Sequence, residues 1–144
     1  MSEKQDESIR PWGHYEILLD TEYCKVKRIV VKPEQRLSYQ YHNKRKEAWT
    51  VVQGTAKVTL NGEDYLFNTG ETVLIPLGAK HRMANPSKVM DMILIEVQTG
   101  TYFGEDDIIR IQDDYDREKE IERNGKVVNL WKPKWDFGDE KSSN

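Results

Sequence analysis

The feature that most limits what this chain can fold into is its punctuation. Short apolar or alternating runs follow one another at 15–19, 24–31, 36–42, 47–53, 56–60, 65–67, 72–76, 81–84 and 89–99, separated by glycine, proline and asparagine. Runs of this length and period are expected as strands, and almost no helical periodicity interrupts them before residue 105. The connections agree. Asn61-Gly62 stands between Val58-Thr59-Leu60 and Tyr65-Leu66-Phe67, and Asn-Gly supplies the positive φ angles that a tight hairpin needs. Gly54 and Gly70 punctuate in the same manner, and Pro76-Leu77-Gly78 carries the residues of a type II turn. Strands this many and this short predict an all-β fold: a sandwich, a jelly roll or a small barrel.

The chain of 144 residues fits one domain, and a domain of this size buries roughly two-thirds of the surface its unfolded chain exposes. No disulfide or metal is needed merely to hold it together. The expected domain covers residues 1–137, including a C-terminal extension, with 138–144 as a disordered tail. Within that extension, 113–123 is a dense charge run that predicts a surface helix ending near Gly125. Val127, Val128, Leu130, Trp131 and Trp135 carry enough apolar area to be expected against the barrel or a second subunit. A net charge of −3 gives no electrostatic reason to expect nucleic acid. No apolar run approaches the roughly 20 residues of a membrane helix, and residues 1–10 lack the apolar centre of a signal peptide. The lone Cys24 makes no intramolecular disulfide, so the expectation is a cytoplasmic protein without a membrane partner.

One constellation carries chemistry. Gln40 and His42 are two apart on an expected strand and therefore share a face, with Ser38 beside them. Glu47 opens the next strand after the polar stretch 43–46, on the face of Trp49 and Val51, and His81 follows the 76–78 turn. Two neutral imidazoles, a carboxylate and an amide oxygen make a workable cage for a hard or borderline divalent ion. The spacing Gln40-x-His42-x4-Glu47-x6-Gly54 resembles the first motif of the cupin family, with glutamine in place of its usual first histidine. Gly70-x5-Pro76-x-Gly78-x2-His81-x3-Asn85 resembles the second. The resemblance implies a double-stranded β-helix, the jelly-roll barrel of cupins, with one metal held inside by Gln40, His42, Glu47 and His81. Oxygen-activating cupins typically use three histidines and a carboxylate. The glutamine makes this set harder and less suited to redox work, which favours Lewis-acid chemistry. Zinc is the expected ion, with cobalt, manganese or magnesium as alternatives.

A closer resemblance runs from Arg10 to about Arg117. Arg10-Pro11-Trp12-Gly13, Leu37-Ser38-x-Gln40-x-His42, Trp49-Thr50-Val51-Val52-x-Gly54-Thr55-Ala56 and Ile75-Pro76-x-Gly78-x-x-His81-Arg82 are similar to the type II phosphomannose isomerase domain, as is Gly104-Glu105-Asp106-Asp107-Ile108-Ile109-Arg110. In most relatives that domain is the C-terminal part of a bifunctional isomerase and mannose-1-phosphate guanylyltransferase. These residues include no glycine-rich nucleotide-binding segment, so guanylyl transfer is not expected of them. The resemblance implies interconversion of mannose 6-phosphate and fructose 6-phosphate through a cis-enediol, on a small-molecule phosphosugar, in a homodimer. Alternatives are a cupin isomerase or epimerase acting on another sugar phosphate or nucleotide sugar, and a non-catalytic partner of a guanylyltransferase.

Arg10, Arg45 and Arg110 match functional arginines of that family and are assigned to phosphate and sugar oxygens, where a planar guanidinium fork suits the ligand. Lys80, beside His81, is a further substrate-binding candidate. Arg45, Arg110 and Glu47 form the candidate catalytic set. Glu47 is read as a metal ligand before a general base, because a carboxylate bound to a divalent ion is a poorer proton acceptor. The base itself stays unassigned. The sequence also departs from its relatives beside the site: Asn43, Lys44 and Lys46 surround Arg45 where a histidine-rich run is common, and Ala48 stands where a histidine is frequent.

Overall fold

A computed structural model describes residues 8–115 as eleven strands and one short 3-10 turn. The strands are β1 (Ile9–Arg10), β2 (Gly13–Asp20), β3 (Cys24–Val31), β4 (Tyr39–His42), β5 (Arg45–Gln53), β6 (Thr55–Leu60), β7 (Glu63–Asn68), β8 (Thr72–Ile75), β9 (His81–Ala84), β10 (Met92–Gly100) and β11 (Ile108–Gln112). They form two sheets, one of six strands in the order β1-β2-β3-β10-β5-β8 and one of five in the order β11-β4-β9-β6-β7. All pairings are antiparallel. The chain passes repeatedly from one sheet to the other, which wraps both around a common interior. This is the expected double-stranded β-helix.

Local sequence explains the turns. Asn61 and Gly62 take φ of 49° and 87°, the two left-handed positions of a primed hairpin turn, and close β6 onto β7 with Leu60 facing Glu63. In the 76–79 turn the Ala79 amide donates to the Pro76 carbonyl at 3.1 Å, which places Leu77 and Gly78 at the centre, and Gly78 supplies the positive φ of 78°. Pro76 thus sits at the first position of that turn.

The interior is graded along each strand. The inward residues of β10 are Met92, Leu94, Glu96 and Gln98, and those of β5 are Arg45, Glu47, Trp49 and Val51; all eight are buried. On β3, Lys27 is followed inward by Ile29 and Val31. Register aligns the gradients: Glu96 pairs with Lys27 and Trp49, and Leu94 with Ile29 and Val51. One end of the barrel is therefore an apolar plug of Ile29, Val31, Val51, Val58, Met83, Met92 and Leu94. The other end is lined by charge. Burying the plug drives folding, while the polar end must be satisfied by its own pairs or by a ligand.

Three expectations need correction. The strand expected at 36–42 begins only at Tyr39, because Arg36 is held by Asp114 in a buried bidentate ion pair (2.6 and 2.8 Å) and makes only an isolated bridge to Ala84. The strand expected from 89 begins at Met92, since residues 87–90 turn around Ser87 and Asn85. Strand β11 was not expected at all: its outward positions Ile109 and Ile111 are apolar and its inward position is Arg110, which inverts the usual alternation. Of the expected surface helix only residues 113–115 are described, with Asp114 and Tyr115 in a turn. Its remainder, the tryptophan-bearing extension and the 138–144 tail lie outside the described residues.

Candidate metal centre

The polar end of the barrel is built by strand register. In the smaller sheet Arg110, Gln40 and His81 lie side by side on β11, β4 and β9, and His42 pairs with Ile108 one step along. In the larger sheet Arg45 and Glu47 enter from β5, and the alternation that buries Trp49 and Val51 begins two residues earlier than sequence reasoning placed it, at Arg45. The intervening loop is only Asn43 and Lys44. It is pinned by Asp107, whose carboxylate accepts their backbone amides at 3.3 and 3.0 Å.

Glu47 is the hub. Its Oε2 accepts from Arg45 Nε at 2.9 Å and lies 3.1 Å from His42 Nε2, while Oε1 accepts from Trp49 Nε1 at 2.9 Å and lies 4.0 Å from His81 Nε2. Burial alone would raise the Glu47 carboxyl, but the His42 hydrogen bond and the charges around it hold it well below the usual carboxylate range. His81 is oriented by the turn before it: Nδ1 donates to the Ala79 carbonyl at 2.9 Å, leaving Nε2 to face Glu47. The turn is itself tied to β4, since the Gly78 amide donates to the His42 carbonyl at 2.9 Å. Burial lowers His81 below the ordinary imidazole value, which favours the neutral ring that offers a lone pair.

His42, Glu47 and His81 each place one ligand atom within 4.8 Å of the others, all three buried. Donors sharing one ion at about 2.1 Å can lie at most about 4.2 Å apart, so a small inward shift suffices. Two further features fit a metal. His42 Nδ1 is buried without a hydrogen-bond partner, and His81 already carries the outer-shell carbonyl that fixes a ligating tautomer. Gln40 lines the same cavity and donates its Nε2 to Ser38 Oγ at 2.7 Å, which leaves its carbonyl oxygen as the donor atom for an ion.

The cavity over this cluster has a volume of about 600 Å³ including its open mouth. Arg10, Arg45 and Arg110 all line it. Lys80 does not. It lies just before β9, where it is exposed and its backbone bonds Asn61. Arg82 lines the cavity but is committed to the Leu37 carbonyl and to Gln112. Asn85, a motif position, is a structural tie that donates to the carbonyls of Val31 and Met90 at 2.8 Å each.

Sequence reasoning missed Lys27, Tyr15, Glu96 and Gln98 as residues of this end. Glu96 is 5% exposed and is pushed up to about 8 by burial and then by the adjacent Glu47 charge; Gln98 Nε2 donates to it at 2.8 Å. The signal was available in β10, where Glu96 and Gln98 continue the inward series of Met92 and Leu94.

Comparison with known proteins agrees with this geometry. Residues 1–113 match the family described as mannose-6-phosphate isomerase C-terminal. The mannose-1-phosphate guanylyltransferase ManC of Salmonella typhimurium is 50% identical over 111 residues, covering 77% of this chain and 23% of that protein. The alginate biosynthesis protein AlgA of Pseudomonas aeruginosa is 46% identical over 114 residues, covering 79% and 24%. The chain thus spans about a quarter of the length of these relatives. Among solved structures, a protein with a double-stranded β-helix domain from Klebsiella pneumoniae superposes with a TM-score of 0.59 at 23% identity, covering 69% of this chain and 89% of that one. With two wrapped antiparallel sheets, a buried His42, Glu47 and His81 cluster and this match over most of its length, the chain belongs to the mannose-6-phosphate isomerase C-terminal family.

Proposed function

We propose that this chain is a metal-dependent aldose-ketose isomerase that interconverts mannose 6-phosphate and fructose 6-phosphate. The observation that carries the reading is the buried His42, Glu47 and His81 cluster lying under a cavity lined by Arg10, Arg45 and Arg110. The reaction moves a proton between C2 and C1 of the open-chain sugar through a cis-enediol. Its barrier lies in generating negative charge beside a carbonyl. His42, Glu47 and His81, with the Gln40 oxygen, would hold a divalent ion, with zinc the first candidate; when bound, it supplies Lewis-acid stabilisation of charge developing on the sugar oxygens. The protein's own residues do the rest. Arg110 and Arg10 bind the phosphate and so set the depth at which the sugar enters. Arg45, fixed between Glu47 and the Phe103 carbonyl, presents its guanidinium to the sugar oxygens. The apolar plug of Ile29, Val51 and Met83 closes the cavity floor to water, which strengthens every charge interaction above it.

A second reading has one observation in its favour: several relatives, ManC of Salmonella typhimurium among them, are named as mannose-1-phosphate guanylyltransferases, and this chain matches about a quarter of each. Under that reading the domain binds a sugar phosphate beside a transferase without turning it over. A coupled assay decides between them. Protein stripped by chelation is reloaded with Zn²⁺, Co²⁺, Mn²⁺ or Mg²⁺ and followed for fructose 6-phosphate formation from mannose 6-phosphate. Turnover that returns with metal supports the isomerase; confirmed uptake of every ion without turnover removes it.

A further inference from the structure

Lys27 belongs to the cavity, and the mechanism above leaves it idle. Lysine is among the residues least often buried, yet Lys27 is 6% exposed. It enters from β3 directly opposite Glu96. Its Nζ lies 4.3 Å from the centroid of the Tyr15 ring and donates to Glu105 Oε2 at 3.1 Å. An ammonium has three donors, and this carboxylate engages one.

The partner is unlike the lysine. The Glu105 side chain is 46% exposed and comes from the 3-10 turn Glu105–Asp107 at the cavity rim, outside either sheet. Burial would raise its carboxyl, but Lys27 and, behind it, Arg45 and Arg10 outweigh that effect and hold it lowered. Arg10 also donates to the Tyr15 hydroxyl at 3.3 Å, which draws it onto the same wall. A rim carboxylate therefore sits where cations from β1, β3 and β5 converge.

We propose that this convergence is the anion subsite of the cavity: a phosphomonoester group displaces Glu105 and takes its place between Lys27 and Arg10. Glu105 is then a built-in occupant that neutralises the subsite while no ligand is bound. A phosphate brings up to two charges and three strong acceptor oxygens to donors that one carboxylate meets only in part. Releasing Glu105 costs little because its side chain already reaches water. A neutral sugar has no charge with which to compete. The isomerase reading identifies the ligand as a sugar phosphate, and the inference rests on it for that identity alone.

Calorimetric titration of the full chain with inorganic phosphate tests the subsite without reference to turnover. Removing the internal competitor with Glu105→Gln is expected to tighten phosphate about tenfold. Asp106→Asn makes the same charge change on the same turn and is expected to leave the affinity within about twofold. Lys27→Met is expected to weaken phosphate by at least about tenfold, with the thermal melt checked in parallel. If the Lys27 variant does not fold, the Glu105 and Asp106 pair decides alone. Equal affinity in Glu105→Gln and Asp106→Asn, or no phosphate binding by any form, overturns the proposal. Tightened phosphate binding in a protein that never turns over mannose 6-phosphate would keep the subsite and remove the isomerase; turnover with unchanged phosphate affinity in Glu105→Gln would do the reverse.

Discussion

Glu47→Gln tests whether the hub of the polar end is an ion pair that the fold depends on. The substitution is isosteric and keeps an acceptor for Trp49 Nε1, but it removes the negative charge opposite Arg45. Arg45 is 4% exposed, and its remaining contacts are the Phe103 carbonyl at 3.4 Å and the His42 ring. Breaking a buried pair from one side typically costs about 3–5 kcal/mol, because the surviving charge stays buried without compensation. At a urea dependence of about 2 kcal/mol/M, the unfolding midpoint of chelated protein should fall by roughly 2 M. Arg45→Met should cost a similar amount for the converse reason. The double variant buries neither charge, so its loss should fall short of the summed losses by about 2 kcal/mol or more. Equilibrium urea melts of the four proteins, in excess chelator at neutral pH, give the cycle. Losses below about 1 kcal/mol in each single variant, or strict additivity in the double, would refute the argument.

Three other outcomes follow from the same geometry. Arg110→Ala should weaken a phosphorylated sugar by about 2–3 kcal/mol, roughly 30- to 150-fold in Kd, and leave an unphosphorylated sugar nearly unchanged; equal losses for both would remove the phosphate role. Asp107→Ala releases the Asn43 and Lys44 amides, so it should cost about 2 kcal/mol of stability and lower turnover more than about tenfold while metal content holds; unaltered turnover would show that the 43–44 loop does not position Arg45. In chelated protein Glu96 keeps its proton up to about pH 8 when folded but loses it near pH 4.5 when unfolded, so the folded state binds more protons across that window and stability should fall as pH rises through it. Urea midpoints measured between about pH 5 and pH 8 should therefore decline in the parent and flatten in Glu96→Gln, and an identical slope in both would contradict the assignment.

The fold was legible because turns and alternation point the same way. Asn61-Gly62 allows hardly anything but a hairpin, and His42, Glu47 and His81 sit on strands whose period is set by Trp49, Val51 and Met83. Polar residues on the inward face were harder to see. Lys27, Glu96 and Gln98 read as surface positions by residue type, although the phase of Met92 and Leu94 carries Glu96 and Gln98 inward, and the barrel's gradient from apolar plug to charged mouth explains why polar groups stand there. Arg110 was identified by family resemblance while its strand was missed, since Ile109 and Ile111 face outward and invert the pattern. Lys80 lies outside β9 in the stretch whose backbone bonds Asn61, so adjacency to His81 along the chain does not carry its side chain to the cavity.

Metal content and isomerase turnover measured on the same samples of the parent and His81→Ala test most directly whether one buried cluster both holds the ion and makes the chain catalytic. The account predicts about one divalent ion per chain in the parent, and a loss of ion and turnover together in the variant. Undiminished metal content in folded His81→Ala would contradict the barrel-interior site.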